Sequence, residues 1–313
     1  MKAIVLQSFG SVDNFQPQNI PLPVIKDNEV LVQVKAISIN PVDAKTRMGK
    51  GISGRFKDQS PIILGWDIAG IVTATGKDVS QFKEGDEVFG MVNFPGIGNA
   101  YAEYIAAPAA HLAIKPSNIT FAEAAAATLA ALTAYQALTQ KLTIKHGNKV
   151  LIHAAAGGVG HYAVQIAAHY DAYVIGTSSA ANKDFVLSLG ADEHIDYKTQ
   201  SLVDTVADID IVLDTIGGNN IDNSLEVIKP GGTIISIPSG LNETVVEKAK
   251  AKNINGFFFL VASNGEDMQN IAQLLQQGII HSHISRIFSF DEIPEAHQQI
   301  ESGKTKGKIV IAL

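Results

Sequence analysis

Cysteine is missing altogether from this chain of 313 residues. Its absence removes disulfides, thiolate-bound zinc and cysteine nucleophiles from consideration together. A basic excess is missing too: the formal net charge is −7, which argues against a nucleic-acid partner. No apolar run approaches the roughly 20 residues that a membrane span requires. The opening MKAIVLQSFG is short and soon broken by polar residues and proline, and it does not resemble a secretory leader. A cytoplasmic protein with neither a membrane nor a nucleic-acid partner is expected. What the chain has in quantity is apolar side chain, 46% of residues, enough for substantial cores in a length near two domains.

The first hundred residues are rich in strand and turn signals. Lys2–Leu6 is a short strand candidate, and residues 29–37 alternate apolar and polar as a half-buried antiparallel strand does. Segments 67–75, 87–92 and 100–105 continue the pattern, and prolines at 17, 21 and 23 mark loop or edge structure. So much strand with so little helix predicts a barrel-like domain. At Phe121 the texture changes. FAEAAAATLAALTAYQALTQ reads as helix, with Thr120 and Glu123 spaced as a capping box. Strands and helices then alternate to residue 237, the rhythm of a doubly wound parallel sheet. A mixed tail follows, and its place after that rhythm suggests that it rejoins the first domain.

Residues 149–162, KVLIHAAAGGVGHY, carry the clearest chemistry. A short apolar strand runs into a glycine turn and then into apolar residues at helical spacing, the layout that sets backbone N–H groups against a diphosphate. The fingerprint G-x-G-x-x-G appears as Ala155-Ala156-Gly157-Gly158-Val159-Gly160, with alanine in the first place. A fold that prefers NAD carries an acid about 20 residues beyond the glycines, at the end of the second strand. Here that strand ends in Gly176-Thr177-Ser178-Ser179, and no Asp or Glu follows until Asp184. Small hydroxyls (Ser178, Ser179), the cation Lys183 and the phenol of Tyr197 suit a 2′-phosphate that a carboxylate would repel. NADPH is therefore expected over NADH. Strand ends are where open α/β sheets bind ligands, which adds Thr215 and Ile216 after one strand and Ile237 and Ser239 after another.

These motifs, with others in order along the chain, carry a family resemblance. They are the opening MKAIVL, Ser38-Ile39-Asn40-Pro41-Val42-Asp43, Gly65-Trp66-Asp67, Glu84-Gly85-Asp86-Glu87-Val88, Leu189-Gly190-Ala191-Asp192, Pro230-Gly231-Gly232 and Gly307-Lys308-Ile309-Val310. The chain resembles the medium-chain dehydrogenase/reductase superfamily in its zinc-free quinone oxidoreductase and enone reductase branch. The resemblance implies an α/β protein: a GroES-like β-rich catalytic domain at 1–119, completed by 279–313, and a Rossmann NADPH-binding domain at 120–278. Where the zinc alcohol dehydrogenases of that superfamily carry a cysteine, a histidine and a second cysteine, aligning the motifs puts Asn40, Trp66 and Leu129. No zinc site is expected from that set.

Without a Lewis acid, a substrate must accept hydride with modest hydrogen-bond help. Quinones and α,β-unsaturated carbonyls meet that demand, because their π-systems carry charge to a distant oxygen. A quinone is the expected substrate, with an enone, or NADPH binding without turnover, as the alternatives. Asn40 reads two ways, as a neutral donor beside the nicotinamide ribose or substrate oxygen, or as a turn asparagine stabilising its own backbone. Asp43 and Asp67 align with acidic positions of the zinc relatives and are expected to order the cleft by pairing Lys45 or Arg47. Tyr101 and Tyr104 are possible proton donors, with packing the favoured reading of both. The resemblance further implies Thr133 near the nicotinamide carboxamide and Phe258 and Phe259 beside the ring. It also implies a homodimer through the edge of the Rossmann sheet. Lys308, on the last strand, is expected to reach a cofactor phosphate.

Overall fold

A computed structural model describes residues 1–238, 240 and 244–313. By internal contacts the chain divides into two units, Met1–Leu132 with Val261–Leu313, and Thr133–Leu260. The first begins with strands β1 (Lys2–Leu6), β2 (Phe15–Asn19) and β3 (Glu29–Ile39), helix α1 (Pro41–Arg47) and strand β4 (Ile62–Ile63). It continues with β5 (Asp67–Thr75), β6 (Glu87–Met91), β7 (Tyr104–Pro108), β8 (Leu112–Ile114) and helices α2 (Phe121–Ala126) and α3 (Leu129–Gln140). The division between units falls inside α3.

The second unit alternates as the periodicity predicts. Its elements are β9 (Lys149–Ile152), α4 (Gly160–His169), β10 (Tyr173–Ser178), α5 (Lys183–Ser188), β11 (Glu193–Asp196) and α6 (Leu202–Thr205). There follow β12 (Ile209–Asp214), α7 (Asn219–Val227), β13 (Ile228–Ser236), α8 (Val245–Ala251) and β14 (Asn255–Phe258). The strands form one parallel sheet in the order β11-β10-β9-β12-β13-β14. Order reverses beside β9, which is where the glycine turn stands. Leu151, Val212 and Ile234 of the sheet pack with Ile221 and Leu225 of α7 and Val245 of α8 into an apolar core.

The chain ends with α9 (Gly265–Gln276), β15 (Ile284–Ser289), α10 (Ile293–Glu301) and β16 (Lys308–Ala312), all in the first unit. β16 pairs antiparallel with β3, setting Ile309 against Ile39, and β3 pairs antiparallel with β5, setting Ser38 against Asp67. The resulting sheet runs β15-β16-β3-β5-β6-β8, with β7 also paired to β3. Trp66, fully buried, stacks edge-on against Phe56 and Phe94 in the same unit.

Two sequence expectations change. Residues 100–103 are not strand: the Tyr101 N–H donates to Leu64 O and its carbonyl accepts from Ile4 N, and the strand starts only at Tyr104. The alanine-rich helix expected over 121–140 breaks at Ala127–Thr128. Asp67 accepts from the Leu129 N–H at 3.0 Å, so a carboxylate 62 residues away starts a second helix there. α2 packs against β3, β5 and β16 in the first unit.

Candidate active site

Three strand ends bring the polar cluster of the first unit together. Because Ile39 faces Ile309 and Ser38 faces Asp67 across the sheet, Asn40, Asp67 and Lys308 meet just beyond that pairing. All three are buried, Asn40 to 2% exposure. Asn40 is the extended N-cap of α1, and its backbone N–H donates to Asp43 Oδ2 at 2.8 Å. Its amide is turned elsewhere: Nδ2 donates to Asp67 Oδ2 at 2.7 Å, and Oδ1 accepts from Lys308 Nζ. Lys308 Nζ also donates to Ile39 O at 3.2 Å.

Asp43 and Asp67 therefore pair neither Lys45 nor Arg47, contrary to expectation. Arg47 instead donates to Gly10 O and Glu301. Asp43 Oδ1 accepts from the Tyr101 hydroxyl at 3.0 Å, and that hydroxyl lies 2.9 Å from His297 Nε2. Burial, then the neighbouring Asp67, pushes the Asp43 carboxyl up to about 7. Burial holds His297 down at about 3, a neutral imidazole at ordinary pH. Its Nδ1 has no partner among the described residues, so the proton is assigned to Nε2, which donates to Tyr101 while Tyr101 donates to Asp43. Burial raises Asp67 and lowers Lys308. N–H donors at both Asp67 oxygens, and two oxygen acceptors at Lys308, favour the charged form of each.

In the second unit, the glycine turn joins β9 to α4. A Cβ at Gly160 would stand 2.2 Å from Ala154 O, so only glycine allows this approach of turn and helix. Ala154 takes the left-handed conformation at φ 48°, one residue before the altered first glycine. Ser178 ends β10 and is buried; Ser179 is half-buried and Lys183 exposed at the start of α5. The Ser178 hydroxyl lies 2.7 Å from His194 Nε2, and Lys183 is close enough to His194 to lower its affinity for a proton, after burial has done so. His194 is a neighbour that sequence reasoning missed, because its place beside Ser178 follows from the pairing of β10 with β11. The same pairing sets Asp196 opposite Ser178, but the Asp196 carboxylate accepts from Lys198 N and Thr199 Oγ1.

Thr177, Ile195, Tyr197 and Ile216 line a cavity of about 460 Å³ at the carboxyl ends of β10, β11 and β12. His153 closes it, its ring held between Thr177 Oγ1 and Ser224 Oγ, and burial keeps it neutral at about 4. Thr215 Oγ1 donates to His153 O at 2.8 Å, Ile237 N donates to Asp214 O, and Phe259 is buried behind an exposed Phe258. Thr133 is buried on α3, and Ser239 lies outside the described residues. Lys308, expected at a cofactor phosphate, turns its ammonium into the Asn40 cluster of its own, first unit, where Ile39 O and Asn40 Oδ1 accept from it. A glycine turn at the sheet's reversal point, a cavity at the strand ends and hydroxyls with a cation after β10 together fit a dinucleotide.

Comparison with known proteins places these features. Residues 26–117 match the family described as alcohol dehydrogenase GroES-like domain, and residues 189–311 the family described as zinc-binding dehydrogenase. The 2-methylene-furan-3-one reductase of Solanum lycopersicum and the chloroplastic NADPH-dependent alkenal/one oxidoreductase of Arabidopsis thaliana are each 35% identical. Each alignment covers 99% of this chain and 79% of the relative. The solved quinone oxidoreductase of Coxiella burnetii is 37% identical with a TM-score of 0.95, covering 100% of this chain and 99% of that one. The Escherichia coli quinone oxidoreductase solved with NADPH is 26% identical, with a TM-score of 0.88 and full coverage of both chains. The zinc in one family description does not fit the residues present. Asn40 has its amide engaged at both ends, Trp66 donates its indole N–H to Gly96 O, Leu129 has no donor, and the Lys308 ammonium sits against Asn40.

Proposed function

We propose that this chain, which belongs to the medium-chain dehydrogenase/reductase superfamily in its zinc-free quinone and enone reductase branch, reduces a quinone with NADPH. That it is an oxidoreductase of this branch follows from its kinship; the cofactor's phosphate and the quinone are our reading. The observation that carries the reading is the end of β10, where Ser178, Ser179, Lys183 and His194 gather and the carboxylate in register is engaged elsewhere. Such a set binds a 2′-phosphate and gives NADH's free hydroxyl no acid to grip.

When bound, NADPH supplies the hydride, and a quinone takes it with a proton to give the hydroquinone. The glycine turn at Gly157–Gly160 lets backbone N–H groups approach the diphosphate, and Thr215, Ile216 and Ile237 flank the strand ends. Asn40 is the donor for the acceptor's carbonyl oxygen: one Nδ2 hydrogen is held by Asp67, and the other has no partner among the described residues. Asp43 and Asp67 support that residue and are too enclosed to shuttle protons themselves. Two relatives, one named as a 2-methylene-furan-3-one reductase and one as an alkenal/one oxidoreductase, favour a second reading, in which an α,β-unsaturated ketone or aldehyde replaces the quinone. The proposed assembly is a homodimer through the edge of β14, where Phe257, Phe258 and Leu260 are exposed. Stopped-flow oxidation of NADPH and NADH by 1,4-benzoquinone, 9,10-phenanthrenequinone and 2-alkenals tests the reading. Turnover of quinones with NADPH well above NADH supports it; turnover of the alkenals alone selects the second reading.

A further inference from the structure

We propose that Lys308 is a positioning residue that sets the polarity of the Asn40 amide, so that the site presents an N–H and not a carbonyl to the substrate. The oxygen and nitrogen ends of an asparagine have nearly the same shape, and packing alone does not choose between them. Here the choice is made chemically. An ammonium has donors and no acceptor, so Lys308 Nζ can face only Oδ1; an ionised carboxylate accepts only, so Asp67 Oδ2 can face only Nδ2. Each partner is itself fixed. Lys308 is tied to Ile39 O by a second hydrogen bond, and Asp67 Oδ1 to the first N–H of α3. Flipping the amide would set oxygen against carboxylate and N–H against ammonium, with both contacts buried.

One hydrogen remains. The second Nδ2 hydrogen has no partner among the described residues on a side chain only 2% exposed. A buried donor left open is costly unless a ligand completes it. The locked polarity therefore selects a substrate oxygen that accepts, as a quinone or enone carbonyl does, over one that must donate. Lys308 reaches this effect through Asn40 and touches neither substrate nor cofactor in the role assigned to it.

The inference rests on the reading of Asn40 as the substrate's donor, and the test separates the two. Wild type, Asn40→Ala, Lys308→Met and the double variant would be assayed with NADPH and 1,4-benzoquinone, with NADPH dissociation constants measured by fluorescence. Lys308→Met is expected to lower kcat at least tenfold and to leave the NADPH dissociation constant within twofold. In the Asn40→Ala background the same change is expected to lower kcat by less than twofold. If Asn40→Ala alone leaves kcat intact, the donor reading fails and this inference with it. If Asn40→Ala is impaired but the two losses multiply, only the inference fails. A tenfold rise in the NADPH dissociation constant with kcat unchanged would overturn it too, by returning Lys308 to the cofactor. Should Lys308→Met not fold, Lys308→Gln answers instead: a neutral amide can meet either end of the Asn40 side chain and no longer chooses between them, so kcat is expected to fall severalfold, and a kcat within twofold of wild type refutes the lock.

Discussion

Ala155 and Gly176 are matched partners across the glycine turn: a Cβ at Gly176 would stand 2.9 Å from the Ala155 methyl. The first fingerprint position tolerates alanine here because the facing strand, β10, has given up its side chain. Gly176→Ala should then destabilise the protein by about 1–3 kcal/mol through overpacking, since Val186 Cγ1 also lies 2.5 Å from the added atom. Urea denaturation measures it. Ala155→Gly combined with Gly176→Ala should recover part of the loss, with the Val186 clash left; no recovery would show that the two sites are independent.

Lys183 is exposed and next to the Ser178–His194 pair, so its replacement tests phosphate recognition without disturbing a core. Removing one charge-assisted contact costs about 1.5 kcal/mol, or about tenfold in affinity. Lys183→Ala should weaken NADPH by that factor and leave NADH unchanged in fluorescence titrations. Ser178→Asp should reverse the order of preference, because a carboxylate there repels the 2′-phosphate and binds a ribose hydroxyl.

The glycine turn and the serines after β10 were legible because they are local backbone and strand-end requirements. Their meaning depends on residues within a few positions of one another. The Asn40 cluster was legible only in part. Asn40 and Asp67 emerged from resemblance, but the partners that orient them lie 27 and 268 residues apart in sequence and meet only through sheet register. The partners of Lys308 are hidden for the same reason: nothing near position 308 reveals that β16 sets Ile309 against Ile39 of β3. Likewise the break at Thr128 is invisible in an alanine-rich helix, since the carboxylate that accepts from Leu129 N belongs to β5.

Metal removal should leave the enzyme unaffected. A thiol-free set of Asn40, Trp66 and Leu129, with the Lys308 ammonium on Asn40, has no capacity for zinc, so dialysis against EDTA should change quinone reduction by less than twofold. Inductively coupled plasma analysis should find far less than one zinc per chain. Stoichiometric zinc with loss of rate on chelation would refute this account of the site.

Asp43 should leave a signature in the pH dependence of stability. Its folded carboxyl titrates at about 7 and an ordinary one at 3.8, so between those values the native state holds a proton that the unfolded state has lost. Stability therefore falls with rising pH through that window, by an upper limit of about 4 kcal/mol at ~1.4 kcal/mol per pH unit. His153 and His297 act oppositely. They are neutral down to about 4 and about 3, so the unfolded state gains protons below about 6.5 that the native state refuses. Asp67 is raised like Asp43, but His111, His194 and His283 are lowered like these two, so the histidines outnumber the carboxylates and wild-type stability should rise from pH 4 to about 6.5 and then decline toward pH 7–8. In Asp43→Asn the late decline should vanish, which urea titrations at half-unit intervals would measure.

Tyr101→Phe tests the chain from His297 through Tyr101 to Asp43. The ring is fully buried, so phenylalanine keeps the packing against Phe15 and removes only the hydroxyl. Two groups then lose a partner: Asp43 Oδ1, and the His297 Nε2–H, whose other ring nitrogen already lacks one. At about 1–3 kcal/mol for each buried group left unpaired, a loss of about 2–6 kcal/mol is expected. The loss should also depend on pH in a stated direction. The Tyr101 hydrogen bond lowers the Asp43 carboxyl, so without it that carboxyl rises further above about 7 and its ionised form is penalised more. The variant should be most impaired at pH 8, where wild-type Asp43 is ionised, and least at pH 5, where it is protonated in both proteins. Equal losses at the two pH values would mean that Tyr101 stabilises the fold without holding the Asp43 charge.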